Sequence, residues 1–497
     1  MPNGEKALIS ALGETDFSLK KIMPQILTII VSMIMVLLDG TVVNNAIPTI
    51  VEYFHTDLKT IQWTVTGYTL ALSVVIPLAG WLTDKFGQKN VFMFTVGMFT
   101  IGSFLCGVAQ TPEQLIIFRI IQGLGGGMVA PIGMAMVFQL APPEKRGAVM
   151  GLLGMPMLLA PAFGPVLSGW LVDTASWHWI FMINLPIGVL ALLLCIKFLP
   201  KGGSKKPPRL DFWGMVLAPL AFVMLAYGVS EGSSGWSSTS AITGISIGLV
   251  ALIMFIIVEL RHKQPLLELK VFKSSDFTRG IILSWIVQIG LFGSMLLLPL
   301  YLQNAKGYTA IESGWILMPQ AICAGIAMPI SGRLFDKVGA RPLAFAGLTL
   351  AAISMYVLSN IQLDTSLWII VVAICMSGFG LGLSSMPLNT HVLSSAPPRL
   401  VSRVTPLTSA SQQVVVSFVA AGLTGFLTSR ISSHVAGATN GVNPLESVIS
   451  GYGDTFLLTS CIAVLGVALS LILRKPRMNN DDTLKDGDNA PTPSRVH

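Results

Sequence analysis

Gly80-Trp81-Leu82-Thr83-Asp84-Lys85-Phe86-Gly87-Gln88-Lys89-Asn90 is a short charged turn between two long apolar runs, and the chain makes it twice. The second copy reads Gly332-Arg333-Leu334-Phe335-Asp336-Lys337-Val338-Gly339-Ala340-Arg341-Pro342, offset by 252 residues. Gly, Leu, Asp, Lys and Gly recur at matching places. A second echo, Ala141-Pro142-Pro143 and Ala396-Pro397-Pro398, lies at nearly the same offset, and each copy precedes a basic loop. Two repeats at one offset predict a duplicated architecture.

Composition says where that architecture sits. Hydrophobic residues make up 53% of the chain and charged residues 11%, against about 25% charged in a soluble domain. The charges fall in short loops between apolar runs of roughly 20 residues, the length that crosses a bilayer core. The fold class expected is an all-α polytopic membrane protein. Cys106, Cys195, Cys323, Cys375 and Cys461 all lie inside apolar runs and read as small core residues, with no disulfide framework. Residues 1–22 lack a basic, apolar and cleavage-site succession and are read as a cytoplasmic segment that is not removed.

The apolar runs predict fourteen helices: 23–49, 61–83, 91–110, 113–139, 147–172, 177–199, 212–230, 241–259, 279–303, 311–334, 342–360, 365–390, 405–430 and 455–474. The distribution of Lys and Arg checks that count. With the N-terminus inside, 27 of the 31 basic residues fall on the inner side, and only Lys59, Lys306 and Arg430 fall outside. The net charge of +7 is therefore topological, suited to anionic lipid and not to nucleic acid. The first charged turn joins predicted helices 2 and 3, and the second joins 10 and 11. The repeat thus spans eight helices, two more than a six-helix half. The expected organisation is a cytoplasmic segment 1–22, a six-helix bundle 23–200, a linker with two extra helices 201–276, a second bundle 277–474 and a disordered cytoplasmic tail 475–497.

Certain residues inside this frame carry chemistry. In the turns, Gly80, Asp84, Lys85, Gly87 and Lys89, with Asp336, Lys337, Gly339 and Arg341, read as a bistable latch between the halves, Asp84 capping a helix or pairing with Lys85 and Lys89. A plain hydrophilic loop is the alternative. Arg119, the one basic residue inside a span, lies roughly 9 Å from the outer end of its helix. It needs a cavity, a partner or a snorkelling path to the surface. Asp39 is the one acid near the middle of a span, at ~15 Å depth, close enough to pair with Arg119 if their helices are neighbours. Asp39 is read as the proton carrier and Arg119 as its tuner, the alternative being a structural ion pair. Glu231, Glu259 and Glu312 lie at predicted helix ends and are expected at the interface. Ala160, Gly164 and Ser168 form a small-residue stripe on a helix that also carries Gly154, Pro156, Pro161, Pro165 and Gly169, a packing surface or a hinge. Asn44, Gln62, Trp63, Tyr68, Gln122, Asn184, Trp285, Gln288, Trp315, Gln320 and Asn389 are candidates to line a central substrate cavity.

These residues resemble the major facilitator superfamily and, within it, the fourteen-helix drug:proton antiporters. The likeness covers nearly all of 23–474. Residues 80–90 look like motif A of the superfamily, with Lys85 and Gln88 where Arg is usual. Arg119 through Gly127 looks like motif B, and Gly154 through Gly169 like the antiporter motif C, with Ser168 for a usual Gly. Asp39 through Pro48 and Trp177 through Gly188 look like further signatures, His178 standing where Arg is common. The resemblance implies export, the proton as coupling ion and no other cofactor. The chain is expected to be a monomeric proton-coupled exporter of amphipathic drugs, in contact with membrane lipid, in a bacterial cytoplasmic membrane with both termini inside. The rival readings are export of an endogenous lipid or metabolite, a nutrient importer and a membrane enzyme. The absence of His-Glu-x-x-His and of paired intramembrane carboxylates counts against the enzyme, and no metal site is expected.

Overall fold

The computed structural model describes residues 19–200, 211–232, 237–262, 265, 267–397, 400–437 and 444–473. Most of the segment 1–22, the loop 201–210 and the tail 475–497 lie outside the described residues. The elements in order are α1 (Leu19–Phe54), α2 (Leu58–Val75), α3 (Ala79–Phe86), α4 (Gln88–Gly107), α5 (Pro112–Gly126), α6 (Val129–Leu140), α7 (Arg146–Thr174), α8 (Trp179–Met182) and α9 (Asn184–Phe198). They continue with α10 (Phe212–Gly232), α11 (Thr239–Arg261), α12 (Ser275–Asn304), α13 (Ala310–Val338), α14 (Ala340–Ser359), α15 (Leu367–Ser394), α16 (Val401–Gly437) and α17 (Pro444–Ser470). Among the described residues there is no strand, and fourteen segments are long and apolar enough to cross a membrane, in the order the sequence predicts.

Three of those spans are broken in ways that apolar runs do not reveal. The second is α2, a 3₁₀ turn Ile76–Leu78 containing Pro77, and α3, because proline cannot supply the amide a continuous ladder needs. The fourth is α5 and α6, parted at Gly127 and Met128, and the sixth is α8 and α9. The last span begins at Pro444, eleven residues before the predicted start at 455. Asp454 hides those roughly three turns of helix in the sequence. Its Oδ2 accepts from Arg430 Nη2 (2.6 Å) and His434 Nε2 (2.8 Å) of α16, so a charge that reads as loop sits in a helix.

The helices form two groups. In the first, α1 packs on α7 and α9, α2 on α5, and α4 on α5 and α9; in the second, α15 packs on α12, α13 and α14, and α17 on α14 and α16. The groups meet along α7 with α13 and along α3 and α6 with α16. The extra helices α10 and α11 pair closely, and α10 also touches α2 and α16, so it spans the seam between the groups. Gly244-Ile245-Ser246-Ile247-Gly248 spells Gly-x-Ser-x-Gly inside α11, without the strand-to-helix elbow a nucleophile needs. Its glycines serve packing: a Cβ on Gly244 would lie 2.7 Å from Gly228 Cα, and one on Gly248 2.7 Å from Leu225 N. Glu259, expected at the interface, lies near the end of α11 but is covered by protein. It is 1% exposed, packed with buried Asp211 around Gly214 at one end of this pair. Glu312 does stay at the surface, where it closes a capping box with Thr309 at the start of α13.

Candidate functional site

Arg119 and Gln122 stand three residues apart on α5 and so share one face. Glycines decide what that face meets. A Cβ on Gly123 would lie 2.7 Å from the Tyr68 carbonyl, one on Gly125 2.5 Å from Phe99 N, and one on Gly102 2.6 Å from Gln122 Cα. Only hydrogen fits there, so α5 settles against the backbones of α2 and α4 and carries its two polar side chains into the middle of the first group.

There they close on Asp39 of α1. Arg119 Nη1 donates to Asp39 Oδ2 (2.5 Å) and to Gln122 Oε1 (2.7 Å), while its Nε donates to the Thr64 carbonyl (3.3 Å). Gln122 Nε2 and Asn184 Nδ2 donate to Asp39 Oδ1 at 2.9 and 3.0 Å. Asn184 also donates to Ser103 Oγ (2.9 Å), whose hydroxyl donates to the Phe181 carbonyl (2.9 Å). The guanidinium lies 4.0 Å over the Tyr68 ring and 5.5 Å from that of Phe181, within cation–π range. Asp39 and Arg119 are each 1% exposed. Removing one member of such a buried pair strands the other and typically costs ~3–5 kcal/mol. Every contact made to the carboxylate comes from an N–H donor. A proton on either oxygen removes the charge these donors serve, and weakens most the charge-assisted hold on Arg119.

The sequence pairing of Asp39 with Arg119 is thus present, and the network ties α1, α2, α4, α5, α8 and α9 together. Three candidates for the substrate cavity, Tyr68, Gln122 and Asn184, belong to this cluster. Ser103 and the Thr64 and Phe181 carbonyls were not legible: nothing in the sequence sets Ser103 apart from other intrahelical serines, and backbone carbonyls carry no sequence signal.

The two charged turns share a backbone but not a partner. Gly87 and Gly339 have φ of 83° and 80°, each linking two helices through a conformation that favours glycine. Asp84 does not pair with Lys85 or Lys89. Its Oδ2 accepts from Arg403 Nε (2.9 Å) and its Oδ1 from Ser402 Oγ (3.3 Å), both at the start of α16 in the other group. Gly80 permits this, since a Cβ there would lie 3.0 Å from the Ser402 carbonyl. Arg403 Nη1 also donates to the Pro265 carbonyl (3.4 Å), which brings the connector after α11 onto the same contact. Lys85 lies over the Trp81 ring (4.6 Å), and Lys89 Nζ donates to the carbonyls of Ile196 (2.9 Å) and Leu199 (2.7 Å) at the end of α9. Asp336 is the residue that caps a helix. It accepts from the amides of Gly147 (2.7 Å) and Ala148 (2.9 Å) in the first turn of α7, again across the groups. Lys337 and Arg341 are exposed.

The small-residue stripe is a contact surface. A Cβ on Gly154 would meet Met386 Cγ (2.6 Å) and Met328 Sδ (2.7 Å) of the second group, whereas Gly164 faces Thr41 of α1. Pro161 is half-buried, Ser168 is buried, and Gly169 has open space around it. The side chains of Pro165 and Asn44 lie outside the described residues. Three of the remaining cavity candidates make separate contacts in the second group, two of them to adjacent residues of α16. Trp285 Nε1 donates to Ser411 (3.2 Å), Gln320 Nε2 donates to Ser294 (2.9 Å), and Asn389 accepts from Gln412 (3.4 Å). Gln288 is half-buried, while Gln62, Trp63 and Trp315 are exposed.

Comparison with known proteins gives one consistent answer. The model of the family described as Major Facilitator Superfamily matches residues 29–421 and 282–492. Lincomycin resistance protein LmrB of Listeria monocytogenes is 32% identical, covering 89% of this chain and 94% of its own. Multidrug resistance protein B homolog of Mycobacterium tuberculosis is 35% identical over 78% of this chain and 72% of its own. Among solved structures, the human organic anion transporter MFSD10 superposes with a TM-score of 0.65 at 13% identity, covering 90% of this chain and 99% of that one, which is a likeness of fold.

Proposed function

The chain belongs to the major facilitator superfamily, and from that premise we propose that it is a proton-coupled antiporter exporting amphipathic drugs or other toxic compounds. Its relatives named for drug resistance support the efflux. The observation that carries the coupling is the buried carboxylate of Asp39, surrounded by donors from three other residues. The chain works as a monomer in a bacterial cytoplasmic membrane, with both termini and the two charged turns at the cytoplasmic face. The proton is its only co-reactant.

Alternating access follows from those parts. With Asp84 on Arg403 and Asp336 on the first turn of α7, the cytoplasmic seam is closed. A proton from outside reaches Asp39, breaks contacts to Arg119, Gln122 or Asn184, and frees α1, α5 and α9 to shift. The latch opens, substrate enters from the cytoplasm, and its binding favours loss of the proton inward. One proton crossing 100 mV supplies ~2.3 kcal/mol. That supports a substrate gradient of up to about 50-fold.

A growth screen of an expressing strain against toxic compounds identifies a substrate. Adding that substrate to purified protein in weakly buffered solution should then release protons, and Asp39→Asn should bind it with none released. Undiminished release from Asp39→Asn would place the coupling proton elsewhere.

A further inference from the structure

His391 stands on α15, one turn before the helix ends at Ser394, and is 0% exposed. Neither Nδ1 nor Nε2 has a hydrogen-bond partner among the described residues. Buried polar groups are nearly always satisfied, so an imidazole with both nitrogens idle needs a reason. Idle nitrogens suit the neutral ring, since an imidazolium here would bury two unmatched N–H donors together with a charge. The space for the ring is made by α12, where a Cβ on Gly280 would lie 2.9 Å from His391 Cδ2. One turn earlier on α12 is Asp276, beside the ring but outside hydrogen-bond geometry.

Asp276 is available. Among the described residues its ion pair is with Arg279 at 3.9 Å, at the edge of contact, and Asp276 is 25% exposed. The charged groups at the same end of the other elements packed on α15 are engaged or turned outward. Asp336 holds the amides of Gly147 and Ala148, Arg146 lies over the Phe138 ring, and Arg403 holds Asp84. Arg333, Lys337 and Arg341 are exposed.

We propose that His391 is a second proton-binding site, whose imidazolium form draws Asp276 away from Arg279 and ties the first turn of α12 to the last turn of α15. The step is a simple proton uptake: one ring nitrogen gains a proton, and an N–H then donates to the Asp276 carboxylate. The site lies in the other helix group from Asp39, on α12 and α15, so it does not depend on the coupling role of Asp39.

The test is direct and does not require transport. Full-length protein in lipid nanodiscs carries ¹⁵N-histidine, and the ring signal of His391 is assigned by replacing the other five of the six histidines in turn. As the pH falls from 8.5 to 5 that signal should pass from neutral to imidazolium. In Asp276→Asn its proton affinity should fall about tenfold or more, the size expected for losing an opposite charge at this range. Hydrogen exchange at residues 275–285, corrected for its intrinsic pH dependence, should slow several-fold on acidification in the parent and stay flat in His391→Gln. A ring that stays neutral throughout, or a midpoint unmoved by Asp276→Asn, would overturn the proposal. The assignment scheme and Asp276→Asn decide it even if His391→Gln does not fold.

Discussion

Asp336→Asn is the sharpest test of the seam between the two helix groups. The carboxylate holds two amides of the α7 first turn, at 2.7 and 2.9 Å, across that seam. Hydrogen bonds to a charged group contribute ~1.5–3 kcal/mol each, and an anion at a helix N-terminus adds ~0.3–1 kcal/mol. Asn keeps the shape and one acceptor, but turns an NH₂ toward the second amide, which loses one bond and the charge. The expected loss is about 2–4 kcal/mol, so the closed-to-open ratio of this seam should fall by roughly 30- to 800-fold. Double electron–electron resonance between labels at Glu144 and Arg341, both exposed, should show a longer-distance population growing in Asp336→Asn. Asp84→Asn, which frees Arg403, should open the α3–α16 side instead. An unchanged distribution in Asp336→Asn would refute the reasoning and leave the close glycine packing of α7 on α13 as what holds the seam.

Two further outcomes follow from other parts of the structure. Gly125→Ala forces a Cβ to 2.5 Å from Phe99 N, an overpacked backbone contact that should cost ~1–3 kcal/mol and lower the thermal midpoint of purified protein; an unaltered midpoint would show that α4 and α5 can part freely. Cysteines placed at exposed Lys270 and Asp364 should react with impermeant reagents from the cytoplasmic and outer sides respectively, and labelling of both from one side would break the fourteen-helix topology.

Asp39 and Arg119 were legible because each is a charge in an otherwise apolar run, and the bilayer leaves such a charge few options but a partner. Gln122 and Asn184 were legible only as polar residues. Their assignment to Asp39 depends on how closely α5 approaches α2 and α4, and that depends on which faces Gly102, Gly123 and Gly125 occupy. The turns show the same limit more plainly. Their sequences match at five places, yet Asp84 finds a guanidinium and Asp336 finds bare amides. The difference lies in the partner: α16 begins with Ser402 and Arg403, whereas α7 offers Gly147, whose missing side chain lets Asp336 reach the backbone. A pairing between residues 319 apart is set by how the groups dock, and no local pattern encodes it.

One helix touches both the helix that carries Asp39 and the seam. Near its start, Gly147, Gly151 and Gly154 lie against Gly332, Met328 and Met386 of the second group; further along, Gly164 lies against Thr41, two residues from Asp39. These contacts are 17 residues apart on α7, or roughly 25 Å along the helix. A Cβ on Gly164 would overlap Thr41 Oγ1 and sit 2.8 Å from Thr41 Cβ, so Gly164→Ala must push α1 and α7 apart at an overpacking cost of ~1–3 kcal/mol. Adjacency alone does not make a coupling path; both ends must bias one equilibrium. The measurement is therefore a double-mutant cycle, reading the seam distances for Asp39→Asn, Asp336→Asn and the pair. In the parent the two changes should interact by ~1–3 kcal/mol, and in Gly164→Ala by less than about 0.5 kcal/mol, the level of independent sites. Gly169→Ala, which has open space, should leave the interaction intact. If Gly164→Ala preserves it in full, α7 is a scaffold for both sites and the signal from Asp39 reaches the seam by another helix.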